Sequence, residues 1–174
     1  MDSGKTAIAR TKVSAPTQWL IDNYGFYGKI LHFGEGKAYQ DTQALRDLPG
    51  VDSVEAYDPN SAHLHKRVLP PVGAGFDYVV CNYVLNVLPE EDRSAALVAA
   101  FGRGLYNIFT VRLDKVDGKP YDDGVITSKG TFQSQLDEYE WFDWIARTLL
   151  DRFGYLPHMK VLRKTRDYLM LEVY

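Results

Sequence analysis

Cysteine is nearly absent: the 174-residue chain holds one, Cys81. That excludes an internal disulfide framework and a cysteine-built zinc site, and makes a reducing, cytoplasmic interior the simplest home. Long apolar runs are absent too. None approaches the roughly 20 residues that a membrane span needs. Residues 1–15 are polar and carry Lys5, Arg10 and Lys12 rather than the apolar stretch of a secretory leader, so no membrane partner is expected. Positive charge is not in excess: Lys and Arg number 20 against 23 Asp and Glu, for a net charge of −3. A general phosphate-coating protein would be basic, so contact with nucleic acid must come from a local patch. Low-complexity tracts are missing. Metal-ligand spacing is missing as well, because His63 and His65 have no carboxylate or thiol at ligand distance nearby, and a solvated basic loop is the simpler reading.

What is present is ordinary for a globular protein: 45% hydrophobic and 25% charged residues. The length fits one domain over residues 1–174. The 12 tyrosines read as amphipathic packing rather than as a base-stacking surface. Residues 1–13 form an irregular basic arm. Within it Ser3-Gly4-Lys5-Thr6 looks like the tail of a phosphate loop but lacks the preceding strand. Ser14 before Pro16 is a helix start, with Trp19, Leu20 and Tyr24 on one face.

The chain is organised around Lys29-Ile30-Leu31-His32-Phe33-Gly34-Glu35-Gly36-Lys37-Ala38. An apolar run, a Gly-x-Gly turn and a helical segment ending at Leu48 predict strand, tight turn and helix N-terminus, the usual seat of a nucleotide-like cofactor in an open α/β sheet. Val51–Tyr57 is a second strand, and Asp58 at its end lies 22 positions after Gly36. In a βαβ unit that spacing puts a carboxylate where it can accept hydrogen bonds from both ribose hydroxyls; the alternative is an Asx turn. Residues 60–75 are too short and broken for a helix–strand–helix, and fit one helical turn and a stub strand near Arg67–Leu69. Phe76–Cys81 is a continuous apolar strand suited to the centre of a parallel sheet. It runs into Asn82-Tyr83-Val84-Leu85-Asn86-Val87-Leu88-Pro89, then a helix to about Arg103 with Glu90, Glu91 and Asp92 in its first turn. Leu105–Leu113 is a further strand. Lys115–Gly130 reads as a long polar loop, Phe132–Phe153 as one amphipathic helix, and His158–Leu162 with Tyr168–Val173 as a closing hairpin.

This order, with Asp58 after the second strand and the Phe76–Leu88 run, resembles class I S-adenosylmethionine-dependent methyltransferases. Ile30-Leu31-His32-Phe33-Gly34-Glu35-Gly36 resembles that family's first motif. Thr6–Pro16, Cys81–Pro89 and Lys129-Gly130-Thr131-Phe132-Gln133 are similar to small methyltransferase-like proteins of bacteria and phages, including the methyltransferase-like domain of DNA-phosphorothioation-associated proteins. The resemblance implies an α/β fold: a Rossmann-like three-layer sandwich, mostly parallel, with a C-terminal antiparallel hairpin and a third strand short or missing. It implies S-adenosylmethionine as cofactor, bound by Lys12, Phe33, Gly34, Glu35, Gly36, Asp58, Pro59 and Asn82. Asn82, Tyr83 and Arg112 would stand at the catalytic strand tips, without the Pro-Pro of amino-methylating relatives. Phe132, Arg163, Lys164 and Arg166 would contact the acceptor, and the basic hairpin turn, with Arg10 and Lys12, favours nucleic acid.

Three departures stand beside the resemblance: His32 where the family has an acid, Glu35 between the glycines, and Ala38 in the third glycine slot. They keep open a degenerate fold serving as a cofactor-binding or protein-interaction module. A nicotinamide-dependent oxidoreductase shares the glycine turn and Asp58, but the Cys81–Leu88 run and the closing hairpin oppose it.

Overall fold

A computed structural model describes residues 11–37 and 39–174. The Ser3–Thr6 stretch, Arg10 and Ala38 lie outside the described residues. Six strands form the main sheet: β1 (Gly28–Phe33), β2 (Val51–Tyr57), β3 (Phe76–Asn82), β4 (Gly104–Arg112), β8 (Met159–Lys164) and β9 (Tyr168–Val173). Their order is β2-β1-β3-β4-β9-β8. β1 to β4 are mutually parallel, while β9 runs antiparallel between β4 and β8. The C-terminal ends of β1, β2, β3 and β4 therefore share one edge, which β4 overshoots to reach Arg112 beside Tyr168 of β9.

Side chains alternate across this sheet as the two-residue period requires. Leu31, Val79, Phe109 and Leu171 face helices α3 (Glu90–Phe101) and α4 (Glu138–Phe153), through Leu97, Phe101, Trp141 and Ile145. Ile30, Val80, Ile108 and Met170 face the opposite layer, where α1 (Ala15–Asn23) and α2 (Tyr39–Arg46) contribute Leu20 and Leu45. The three-layer α/β fold agrees with the sequence reading. Ser14 caps α1 and accepts a hydrogen bond from the Thr17 N–H, with Pro16 in the first turn. Asp137 and Glu140 form a reciprocal capping box at the start of α4, and Gly154 ends it in the left-handed conformation.

Three expectations are corrected. No stub strand forms near Arg67–Leu69; a single 3-10 turn, Leu64–Arg67, stands there, and the chain crosses from β2 to β3 with no strand between. Lys115–Gly130 is not a plain loop. It carries β5 (Lys119–Tyr121) and β6 (Gly124–Ile126), which pair around the two-residue turn Asp122-Asp123, with Asp122 at φ 53°. Phe132 does not open the long helix: Phe132–Ser134 is β7, the third strand of this small antiparallel sheet, and the helix starts only at the Asp137 cap.

The small sheet is tied to the body by Arg93 of α3, whose side chain is 0% exposed. Its guanidinium lies 4.6 Å from the Trp144 ring and 5.1 Å from the Trp141 ring, donates to Ser134 Oγ at 2.9 Å, and pairs with Asp123. A buried cation is tolerated because it is paired, hydrogen-bonded and stacked.

Candidate functional site

A cleft of about 1320 Å³ opens along the C-terminal ends of the parallel strands. One wall is the glycine turn. Gly34 and Gly36 hold φ values of 79° and 64°, and a Cβ on Gly34 would collide with the Val84 side chain. Only glycine fits this left-handed, close-packed corner. The turn is moored to the second strand tip, because Gly34 N–H donates to Tyr57 O at 2.7 Å and Gly36 N–H to Asp58 Oδ2 at 2.6 Å. Asp58 Oδ1 accepts from Asn60 N–H at 2.7 Å. A carboxylate offers about four lone-pair positions, so both oxygens keep acceptor capacity toward the cleft.

Beneath the turn lies a buried polar chain. His32 Nδ1 stands 2.7 Å from Thr42 Oγ1, which donates to Glu35 Oε1 at 2.6 Å, while Glu35 Oε2 pairs with Lys66. Burial pushes the His32 pKa below its ordinary value. Burial alone would raise Glu35; the Lys66 and Thr42 hydrogen bonds outweigh it and hold the carboxyl below its ordinary value. The site thus has a neutral ring where the family pattern has an acid, and a charge already countered between the glycines. The sequence reading puts Lys66 in a solvated loop; the return of that loop onto the β2 tip and the glycine turn brings it to Glu35.

The second wall is the tip of β3. The Asn82 amide bridges two elements, donating to Thr17 Oγ1 at 3.0 Å and accepting from Thr110 Oγ1 at 2.7 Å. Thr17 in turn donates to Asp41 Oδ2 at 2.8 Å, and Asp41 also binds the Ser14 N–H and hydroxyl. Asn82 therefore positions the strand tip between α1 and β4. Tyr83 follows at φ 61°, a strained conformation for a side chain of this size, with its ring edge-on to Tyr168. Arg112 is bound in fork geometry by Asp114, whose hydrogen bonds raise its pKa.

Of the residues named from the sequence, Phe33, Gly34, Glu35, Gly36, Asp58, Pro59, Asn82, Tyr83, Arg112 and Phe132 line the cleft. Lys12, Arg163, Lys164 and Arg166 do not. Lys12 is exposed. Arg163 stacks over Trp19, Lys164 pairs with Glu138, and Arg166 is 96% exposed. The hairpin turn does reach the cleft, but through Asp167. The sequence reading missed Asn86 and took Gln133 only as part of a Lys129–Gln133 segment that could close over the site; both line the cleft, and both sit in the stretches that carry the family resemblance. Among the described residues, no group of three His, Cys, Asp or Glu side chains could hold a metal, and no helix is long and apolar enough to cross a membrane.

No family model matches the chain, and no curated protein matches it by sequence. Solved structures do match in fold. A candidate Zn-dependent alcohol dehydrogenase from Rhodobacter sphaeroides superposes with a TM-score of 0.67 at 13% identity, over 99% of this chain and 98% of that one. DhpI, solved as a complex with S-adenosylhomocysteine (SAH), matches with a TM-score of 0.55 at 14% identity, over 92% and 83%. The small RNA methyltransferase HEN1 matches with a TM-score of 0.60 at 9% identity, over 94% of this chain and 26% of that one. These are likenesses of fold: the chain shares its α/β architecture with a candidate dehydrogenase and with methyltransferases alike.

Proposed function

We propose that the protein is an S-adenosylmethionine-dependent methyltransferase, with the cofactor along the cleft from the glycine turn to the β3 tip. The observation that carries this reading is the Gly34-Glu35-Gly36 turn closed onto Asp58 at the mouth of the 1320 Å³ cleft. It joins the two elements that a nucleoside needs: bare backbone for close approach and a carboxylate for ribose hydroxyls. The likeness in fold to DhpI, solved with SAH, supports the same cofactor.

The residues present fit the nucleoside end of that cofactor. When bound, it supplies a methyl group activated by its sulfonium. The chain's own contribution is alignment. Asp58 and the glycine turn hold the ribose and backbone side, while Asn82, pinned between Thr17 and Thr110, sets the β3 tip where methyl and acceptor meet. Tyr83 walls this point and Arg112 stands across it at the β4 tip. The dehydrogenase likeness, at 13% identity, is one of fold alone.

A non-catalytic module is the second reading, favoured by one observation: His32 is buried and neutral, and Glu35 is already paired with Lys66, so the amino-acid end of the cofactor meets no unpaired carboxylate there. Calorimetric titration with S-adenosylmethionine and SAH separates the two. Micromolar binding that Asp58→Ala weakens at least tenfold supports the enzyme reading. Absence of binding at millimolar concentration leaves only the module. An RNA acceptor, favoured by the basic hairpin and by the likeness to HEN1, needs a cationic path into the cleft.

A further inference from the structure

Charge along the cleft runs the other way. Among its described lining residues seven are carboxylates (Glu35, Asp41, Asp58, Asp92, Asp114, Asp117 and Asp167) and three are cations, Lys37, Arg112 and Lys129. At the acceptor end, beyond the β3 tip, Asp114 takes the Arg112 charge and Asp167 lies 3.6 Å from the exposed Arg166, which leaves Asp92 and Asp117 outside those two ion pairs. Asp92 at the start of α3, Asp117 ahead of β5 and Asp167 on the β8–β9 turn approach from three different elements. Lys129 is the acceptor-end cation left to meet Asp92 and Asp117. The cations of the β8–β9 hairpin are engaged: Arg166 with Asp167, Lys164 with Glu138, and Arg163 over Trp19.

An independent feature lies at the same end. Asn86 and Gln133 are 0% and 6% exposed, and both line the cleft. Their amides meet at 3.5 Å, Asn86 Nδ2 to Gln133 Oε1, leaving Asn86 Oδ1 and Gln133 Nε2 without partners. Turning both amides over leaves the other acceptor and the other donor unpaired, so one of each remains in either arrangement. Buried polar groups are ordinarily satisfied, and an orphaned pair is costly to keep, at about 1–3 kcal/mol per group. A ligand that offers one donor beside one acceptor would complete it. A peptide group has that pattern.

We propose that the acceptor is a basic peptide segment, its backbone amide read by Asn86 and Gln133 and its Lys or Arg side chains drawn by Asp92 and Asp117. This rests on the methyltransferase reading only for the word acceptor; the binding surface stands without it. A phosphate backbone meets net repulsion at this end, and a neutral small molecule leaves the carboxylates without a role.

The test is fluorescence anisotropy with three labelled probes, a 12-residue Lys/Arg-rich peptide, an acidic peptide of equal length and a 12-nucleotide single-stranded RNA, each with free and SAH-saturated protein. The basic peptide is expected to bind, with affinity falling several-fold between 50 and 200 mM salt, and neither other probe to compete. Asp92→Asn/Asp117→Asn is expected to weaken it at least tenfold; both residues are exposed, so the fold is spared. Asn86→Leu/Gln133→Leu removes both amides together, which leaves no orphan and keeps the protein folded; its SAH affinity is expected to stay and its peptide affinity to fall at least tenfold. RNA binding tighter than the basic peptide, no peptide binding at 1 mM, or peptide binding undiminished in either double variant overturns the proposal. Loss of SAH binding with retained peptide binding overturns the cofactor reading alone.

Discussion

Replacing Arg93 tests how the wall of the acceptor end is held. The guanidinium is fully buried between two tryptophans and pairs with Asp123 across the small sheet. Removing one partner of a buried pair typically costs about 3–5 kcal/mol. For a domain of this size each kcal/mol moves Tm by roughly 2–4 °C, so Arg93→Met is expected to lower Tm in scanning calorimetry by about 6–20 °C. A drop within 2 °C would mean that neither the ion pair nor the stack holds the sheet. His32 makes a second residue-level prediction, in pH. Burial lowers its pKa in the folded state, while an unfolded histidine takes up its proton near pH 6.5. On acidification the unfolded chain binds that proton first. The contribution of the neutral ring is therefore complete above about pH 6.5 and is lost as pH falls from there toward the folded value. Glu35, held low by Lys66 and Thr42, acts in a separate and more acidic window: its contribution is present above the unfolded carboxyl value of about 4.3 and is lost as pH falls through the folded one. Urea denaturation at intervals from pH 7.5 to 5 should show wild-type stability declining below 6.5. His32→Asn, which keeps a polar atom beside Thr42, should flatten that decline. An unchanged slope would assign the decline to another group.

At the scale of the element, the glycine turn combines two constraints that mutation can separate. Gly34→Ala must adopt a left-handed backbone, at about 1–2 kcal/mol, and must also displace the Val84 side chain. A double-mutant cycle with Val84→Ala should recover the collision share and leave the backbone share, read as a residual loss of about 1–2 kcal/mol in chemical denaturation. Complete recovery would show that φ imposes no strain here. The turn was legible in the sequence because its information is local: an apolar run, glycines two apart, then helix. The same holds for β3 and for the β8–β9 hairpin, whose apolar runs are bounded by turn residues. The small sheet was not legible, because Phe132 lies ahead of the apolar face of α4 and extends its pattern by eye. Its one local signal, Asp122-Asp123-Gly124, is a hairpin turn whose flanking strands are only three residues each and exposed on β5. What fixes β7 as a strand is its pairing with β6 and the bond from Arg93 to Ser134, 41 residues apart in the chain. The site divides in the same way. Gly34, Gly36 and Asp58 were readable from spacing. The work of the Asn82 amide was not, since its partners Thr17 and Thr110 stand 65 and 28 residues away.

Across the whole molecule, the consequence of the shortened β2–β3 connection is an open flank. With no strand beyond it, β2 forms one edge of the sheet, guarded by the exposed charges of Asp52 and Glu55. The segment after Asp58 folds back so that Lys66 O accepts the Asp58 N–H at 2.8 Å while its ammonium meets Glu35. The connection that would otherwise extend the fold instead stitches the glycine turn to the second strand tip, and a second cavity of about 660 Å³, including His63, His65 and Lys66 in its lining, lies just outside it. A ligand seated at the turn therefore couples α2, β1, β2 and this segment, and should stabilise the fold as a unit. A ligand present at 100 times its Kd adds about 2.7 kcal/mol, which for this size corresponds to a Tm rise of roughly 5–11 °C. SAH is expected to produce that rise, Asp58→Ala to abolish most of it, and NAD at equal concentration to leave Tm unchanged. A shift with NAD and none with SAH would move the protein to the nicotinamide reading that its glycine turn and Asp58 also permit. A flat response to both would leave a fold whose acid positions have been turned inward, to Lys66 and to the loop backbone, in place of a cofactor.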